Sequence, residues 1–363
     1  MNIVVQKFGG TSVASERDRE TVVQQIESAL ANANAVVVVV SAMGRRGQPY
    51  ATDTLLDLVS DPHPSSNRDL DLLMSCGEII SAVVLANLVR NHGHKVTVLT
   101  GQQAGIITDD RFNDANIVEI QPERILEALD KSHVVIVAGY QGSTKQGEVT
   151  TLGRGGSDTT AIALGAALHA DYVDIFTDVE GILTADPRVV PSARKLSHIT
   201  YADTYTLAHH GAKVIHPRAV KIAEQAGIPF RVRSMYSSDP GTLVSNSRGY
   251  MENLGLEKVG LENSGPDSKR VLGISQAIGM SHFCIEREKR ADTGKASAAG
   301  DNLATVQHLP LTSTANQGRV SRFKMESLNA HDTADAELST MLAHLTLSGV
   351  EMDLVSIQDQ RVS

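Results

Sequence analysis

The 363-residue chain has two cysteines, Cys76 and Cys284, and no CxxC spacing. That excludes a disulfide framework and points to a reducing cytoplasm. Transmembrane signals are also missing: the apolar run AVVVVV at 35–40 falls far short of the ~20 residues that a bilayer span needs. The N-terminal MNIVVQKFGG has too short an apolar stretch for a secretory signal, and no cleavage-site pattern follows it. Basic excess is absent. A net charge of -9, with both signs interspersed, argues against nucleic acid or an anionic membrane as a partner. A small anion held by a few local cations remains open. Three phosphate signatures are missing as well. Without GxxxxGK[ST] the chain is not a P-loop enzyme, and without HRD and DFG it is not a protein kinase. No GxGxxG opens the chain, which weakens a dinucleotide reading.

What is present is alternation of strand and helix patterns. Ile3–Val5 is a short β-branched run. From Ser15 to Leu30 apolar residues recur at helical spacing, through Val22, Val23, Ile26 and Leu30. Val36–Val40 has no polar alternation, which suits a parallel strand buried on both faces. A long apolar helix is expected at about Leu70–Asn91, with strands at Val96–Leu99 and Val134–Ala138. A hairpin is expected in GYQGSTKQGEV (139–149), and a helix over Thr159–His169. Val173–Phe176 and Phe230–Arg233 read as further strands, the second as the last of its domain. Such repeats imply a mostly parallel sheet with helices on both faces. Two domains are expected for this length, 1–246 and 247–363, because Ser237–Gly249 has a linker-like composition. Beyond it, 271–286 reads as strand–turn–strand, Ala336–Leu347 as helix and Glu351–Ile357 as strand. The intervening Arg287–Ala330 is polar and weakly periodic.

Glycine-rich turns carry the chemistry. In KFGGTSVAS, Lys7 ends the first strand, Gly9–Gly10 follow, and Ser12 or Ser15 can cap the next helix. In GRGGSD (153–158), Gly155–Gly156 open the turn, with Ser157 or Asp158 as the cap. Backbone N–H groups at such turns, together with a helix dipole, favour phosphate. A lone Gly-Gly turn reads first as tight strand-to-helix packing. Two turns carrying Lys7 and Arg154 favour an anion. Cys76 reads as a buried small hydrophobe. His209, His210 and His216 match no zinc spacing and read as helix-surface or loop residues. ERDRE (16–20) is a solvated helix face with its charges paired.

KFGGTSV (7–13), SCGE (75–78), TTLGRGGSDTTA (150–161), FTDVEGILTADPR (176–188) and GAKVIHPR (211–218) together resemble the signature blocks of aspartate kinases, in the same order. The resemblance covers roughly the first 245 residues. It implies the amino-acid kinase fold, a three-layer αβα sandwich shared with acetylglutamate, carbamate and UMP kinases. It also implies transfer of the γ-phosphate of ATP to the side-chain carboxylate of L-aspartate, with Mg²⁺ carried by the nucleotide.

By the same resemblance Lys7, Asp158 and Lys213 are catalytic. Ser41, Thr52, Glu78, Arg154 and Ser157 bind aspartate, with Glu78 taking the ammonium and Arg154 a carboxylate. Lys7, Phe8, Gly9, Gly10, Thr177, Asp178, Leu183, Arg188 and Lys213 line the ATP site. Leu183 stands where many relatives have tyrosine. No dedicated protein metal site is expected. After the kinase domain the family carries ACT domains that bind an end-product amino acid. Residues 269–286 and 336–358 resemble parts of a single such α+β unit, partial or degenerate, with lysine or threonine as the effector. A homo-oligomer is expected. Two alternatives stay open: another kinase of the superfamily, and a catalytically silent amino-acid sensor.

Overall fold

The structure, a computed structural model, describes residues 1–33, 35–59, 66–187, 190–209, 212 and 214–246, and the backbone of strands 269–277 and 280–287. The chain divides into two compact units. One comprises Met1–Ile182, Leu196–Tyr205 and Val214–Leu256, the other Leu183–Lys195, Thr206–Lys213 and Glu257–Ser363.

In chain order the elements are β1 (Ile3–Phe8), a 3₁₀ turn (Gly10–Val13), α1 (Glu16–Leu30), β2 (Ala35–Val40), α2 (Thr52–Leu56) and α3 (Asn67–Asn91). Then come β3 (Val96–Leu99), β4 (Ile106–Thr108), β5 (Ile117–Ile120), α4 (Glu123–Ser132), β6 (Val134–Ala138), β7 (Gln141–Ser143) and β8 (Val149–Thr151). They are followed by α5 (Gly156–Ala167), β9 (Tyr172–Thr177), β10 (His198–Ile199), α6 (Tyr201–His209), α7 (Pro217–Ala226), β11 (Phe230–Ser234) and β12 (Thr242–Val244). The last described strands are β13 (Lys269–Ala277) and β14 (Met280–Arg287).

The main sheet has the order β10-β12-β11-β9-β1-β2-β6-β3, and its central strands from β11 to β3 run parallel. β2 sits near the middle, with all of Ala35–Val40 buried. Both of its neighbours are parallel and both faces are covered, so an unbroken valine run is the stable choice. Each of Val36–Val40 contributes about 1.5–3 kcal/mol by burial.

Alternation along the strands separates two cores. On one face Phe8, Val36, Val38, Val40 and Ile136 pack with Val22, Val23 and Ile26 of α1 and Leu85, Ala86 and Val89 of α3. On the other, α5 lies so close that a Cβ on Gly165 would come within 2.4 Å of Val173. This is the expected three-layer αβα sandwich. A smaller sheet, β5-β4-β7-β8, is built around the β7–β8 hairpin.

Ser15 caps α1 by accepting from the Asp18 N–H at 3.1 Å. Ser66 does the same for α3 through Asp69 at 3.2 Å. α3 is long and apolar enough to cross a membrane by length and composition alone, yet half of that stretch is buried within the protein. It also carries Asp71 and Glu78 into the interior.

Several readings need correction. Phe230–Ser234 is not the last strand, because β12 follows it, antiparallel, inside the segment read as linker. Leu243 and Val244 are buried there. Three residues are too few to show alternation, and the Ser, Asp, Pro and Gly before them form a turn in which Asp239 accepts from Gly241 N at 2.7 Å. The alternation also leaves β4, β5, α4 and α7 unassigned. Neither Ser157 nor Asp158 caps α5; Gly155 holds that position with φ +69°. β13 and β14 pair antiparallel, as the strand–turn–strand reading expects. The expected helix at 336–347 and strand at 351–357 lie outside the described residues.

Candidate active site

The chain leaves β1 for β2 on one side and leaves β9 for β11 on the other, so the strand order reverses between β1 and β9. Ligands of open α/β sheets bind outside the carboxyl ends of the strands at such a switch point. Lys7, one residue before the end of β1, points to the α5 face. Its Nζ lies 2.7 Å from Asp158 Oδ1, in the first turn of α5, and both side chains are only 13% exposed. Apart from this ion pair, Asp158 Oδ1 takes no hydrogen bond among the described residues. A carboxylate in the first turn also suits the helix dipole.

The two glycines after Lys7 differ in what they permit. A Cβ on Gly10 would meet Ala42 O at 2.6 Å and Gly44 O at 2.8 Å, so this glycine serves the tight packing of β1 against the loop after β2. At Gly9 the nearest atom is Lys7 Nζ itself, at 3.6 Å. The Phe8 ring is fully buried and stacked on Phe176, with centroids 4.6 Å apart. Its side chain is therefore a core element, leaving only its backbone for a ligand.

Ser41 follows β2, half-buried, its N–H donating to Phe8 O at 3.1 Å. The next residue, Ala42, donates its N–H to Glu78 Oε1 at 3.0 Å. Glu78 is 2% exposed, and its Oε2 is buried with no partner among the described residues. Burial pushes its carboxyl up to about 8, against the opposing pull of the Ala42 N–H. Thr52 opens α2, which packs on α3 at Gly77, where a Cβ would meet Ala42 Cβ at 2.8 Å and Leu55 at 3.3 Å. The sequence-predicted substrate residues Ser41, Thr52 and Glu78 are thus gathered at one end of β2.

From the other side comes the turn into α5. Arg154 is exposed, while Ser157 is buried beside Gly139 at the end of β6. Gly155 must be glycine twice over: φ is +69°, and a Cβ would sit 2.2 Å from His216 Cβ. His216, read as a helix-surface or loop residue, lies in the loop before α7, where it caps that helix by accepting from Arg218 N at 3.3 Å and packs against this turn, a role the sequence reading did not assign. Burial, together with neighbouring Arg218, holds its imidazolium form down. Its signal was the proline that follows it, a common first residue of a helix.

Toward β9, Thr177 Oγ1 donates to Asp178 Oδ1 at 3.2 Å, and Arg45 Nη2 reaches Asp178 Oδ2 at 3.4 Å. Leu183 forms an isolated antiparallel bridge with Lys195 within its own unit. Arg188 and Lys213 lie outside the described residues. Cys76 is corrected: it is exposed, one position off the buried side of α3, with its thiol donating to Leu72 O at 3.4 Å. Among the described residues no group of three or more His, Cys, Asp or Glu could hold a metal ion.

The sequence profile of the amino acid kinase family matches residues 2–234. Aspartokinase 1 of Bacillus subtilis is 55% identical over 247 residues, which are 68% of this chain and 61% of that protein. Among solved structures, aspartate kinase from Synechocystis is 46% identical with a TM-score of 0.59, covering 67% of this chain and 40% of that one. Escherichia coli aspartokinase III in complex with aspartate and ADP is 29% identical with a TM-score of 0.60, covering 76% and 67%. The chain belongs to the amino acid kinase family. It spans about three fifths of the length of the Bacillus relative.

Proposed function

We propose that this chain is an aspartokinase, which transfers the γ-phosphate of ATP to the β-carboxylate of L-aspartate. That reaction is the first step of lysine, threonine and methionine biosynthesis, carried out in the cytoplasm. The observation that carries the reading is Glu78. It is a buried carboxyl with one oxygen unpaired among the described residues, beside the carboxyl end of β2 and close to the glycine turn. Burial holds this carboxyl in its protonated form, and a cation brought to the free oxygen draws the proton off; the ammonium of an amino acid is such a cation. UMP and carbamate offer no such group, and in N-acetylglutamate it is blocked. The relatives named aspartokinase support the same choice.

The nucleophile is a carboxylate already ionised at neutral pH, so no general base is needed. Catalysis then consists of alignment and charge neutralisation. Lys7 meets the transferring phosphoryl group and Asp158 holds its ammonium in place. Arg154, exposed at the turn, offers a planar fork to the α-carboxylate of aspartate, with Ser157, Ser41 and Thr52 around it. The Gly9–Gly10 turn, the Phe8 backbone, Thr177, Asp178, Leu183, Arg188 and Lys213 take the nucleotide. Mg²⁺, bound to the phosphates, neutralises their charge.

In this reading residues 1–246 are the kinase domain and 247–363 an ACT-like regulatory region, in a homo-oligomer. A lysine complex of Escherichia coli aspartokinase III supports lysine as an effector; threonine is the other candidate. The test is ATP- and Mg²⁺-dependent acyl-phosphate formation, trapped as the hydroxamate. L-aspartate gives product, whereas N-acetylglutamate and buffer do not. Absence of product from aspartate in folded protein rejects the proposal.

A further inference from the structure

Asp71 has no role in the chemistry above, yet it is fully buried on α3, seven residues before Glu78 and so on the same side of the helix. It forms no ion pair among the described residues. Among those residues its carboxylate is held by neutral donors. Thr151 N donates to Oδ2 at 2.8 Å and Thr151 Oγ1 to Oδ1 at 2.6 Å. Asn113 N lies 3.0 Å from each oxygen. Thr151 ends β8, and the next residues, Leu152 to Gly155, form the turn that carries Arg154 and leads to Ser157 and Asp158 at the start of α5.

The same turn is fastened from its far side. Arg218, in the first turn of α7, donates from Nη1 to Leu152 O at 2.7 Å and from Nη2 to Asp114 Oδ1 at 2.6 Å. Ala115 N closes the web by donating to Thr151 O at 2.9 Å. An uncompensated buried carboxylate is costly unless fully hydrogen-bonded, so its retention at one joint calls for a specific task.

We infer that Asp71 is a positioning residue, which locks the Arg154 turn to α3 and so fixes the distance between the carboxylate-binding and ammonium-binding ends of the aspartate site. This rests on the proposed function. Glu78 and Asp71 share one rigid helix, and Arg154 rides on the strand end that Asp71 grips. One carboxylate therefore sets the span that a small dicarboxylic amino acid must match. The nucleotide side, built on β1 and β9, meets this segment through the Lys7–Asp158 pair and not through Asp71 itself.

The test uses the full chain, with Thr151→Val, Thr151→Ser and Asp71→Asn, assayed for hydroxamate against varied L-aspartate and varied ATP. Thr151→Val removes one hydroxyl and nearly preserves shape, so it keeps the test open should Asp71→Asn fail to fold. The expected result is a rise in KM for aspartate of about ten- to a hundredfold in Thr151→Val, with KM for ATP within about twofold. Thr151→Ser, which keeps the hydroxyl, returns to within about threefold of wild type. Equal shifts in both KM values, or a loss of thermal stability with both KM values unchanged, overturn the inference and leave Asp71 a fold anchor. Wild type without hydroxamate rejects the aspartokinase reading itself, and the positioning role falls with it.

Discussion

Two ion pairs sit on opposite faces of the same sheet, and they are built differently. Asp174 of β9 takes two parallel hydrogen bonds from Arg231 of β11, Nε at 2.6 Å and Nη2 at 2.7 Å. Arg233 Nη1 lies 3.7 Å from the same carboxylate. Arg231 also stacks over Tyr172 at 4.3 Å, and Arg233 lies over Phe176 at 5.3 Å. Asp174 is 2% exposed and Arg231 10%. Lys7 and Asp158, by contrast, meet through one contact at the edge where the glycine turn opens, and among the described residues Asp158 Oδ1 takes no other hydrogen bond. The first pair is bidentate, supported by rings, and closed. The second is single and open, so an incoming anion can take the Lys7 ammonium without dismantling the fold. Burial alone does not separate a structural pair from a functional one; the number of bonds each charge has left over does.

Breaking the closed pair carries the largest expected effect on stability. Asp174→Ala leaves the buried Arg231 and the half-buried Arg233 without their carboxylate and costs about 3–5 kcal/mol, read as a lower urea midpoint. Breaking the open pair has its largest effect on turnover. Lys7→Ala or Asp158→Ala lowers kcat by at least about 10²–10³-fold while the circular dichroism spectrum and the urea midpoint stay near wild type.

Glu78 sharpens the contrast, being a buried carboxyl with no cation beside it among the described residues. Its proton must leave before the ammonium of aspartate can pair with it. From pH 6 to about 8 the KM for aspartate therefore falls as pH rises, and it levels off above the Glu78 value of about 8. The stability sign is opposite. The folded protein keeps a proton that the unfolded chain loses near the ordinary glutamate value of about 4.3, so this group lowers stability as pH rises from there to about 8. Glu78→Gln removes the pH dependence of KM and raises KM itself by about 100-fold. The smallest effect belongs to the cap of α1: Ser15→Ala costs about 1 kcal/mol, measured by thermal unfolding, with unchanged KM values.

Much of this was legible in the residues. The valine run at 36–40 could only be a doubly covered strand, and Lys7 beside two glycines marked the end of β1. Ser15 announced the start of α1. What escaped the sequence was tertiary. Nothing in DLDLLMSCGE separates Asp71 from a solvated carboxylate, because its donors Thr151 and Asn113 lie far along the chain. Cys76 was misplaced because an almost uniformly apolar helix does not show its buried side. β12 hid behind turn residues, and Phe8 looked like part of the phosphate turn although its ring packs into the core. Local chemistry of glycine, lysine and capping residues reads directly from order in the chain, whereas the partners of buried charges do not.

The most direct measurement pairs turnover with urea unfolding for Asp158→Ala and Asp174→Ala. Asp158→Ala should unfold at the wild-type midpoint with turnover abolished. Asp174→Ala should unfold at a markedly lower midpoint while its remaining folded molecules still turn over. Equal losses of stability in the two variants, or turnover retained by folded Asp158→Ala, would contradict the division between an open catalytic pair and a closed structural one.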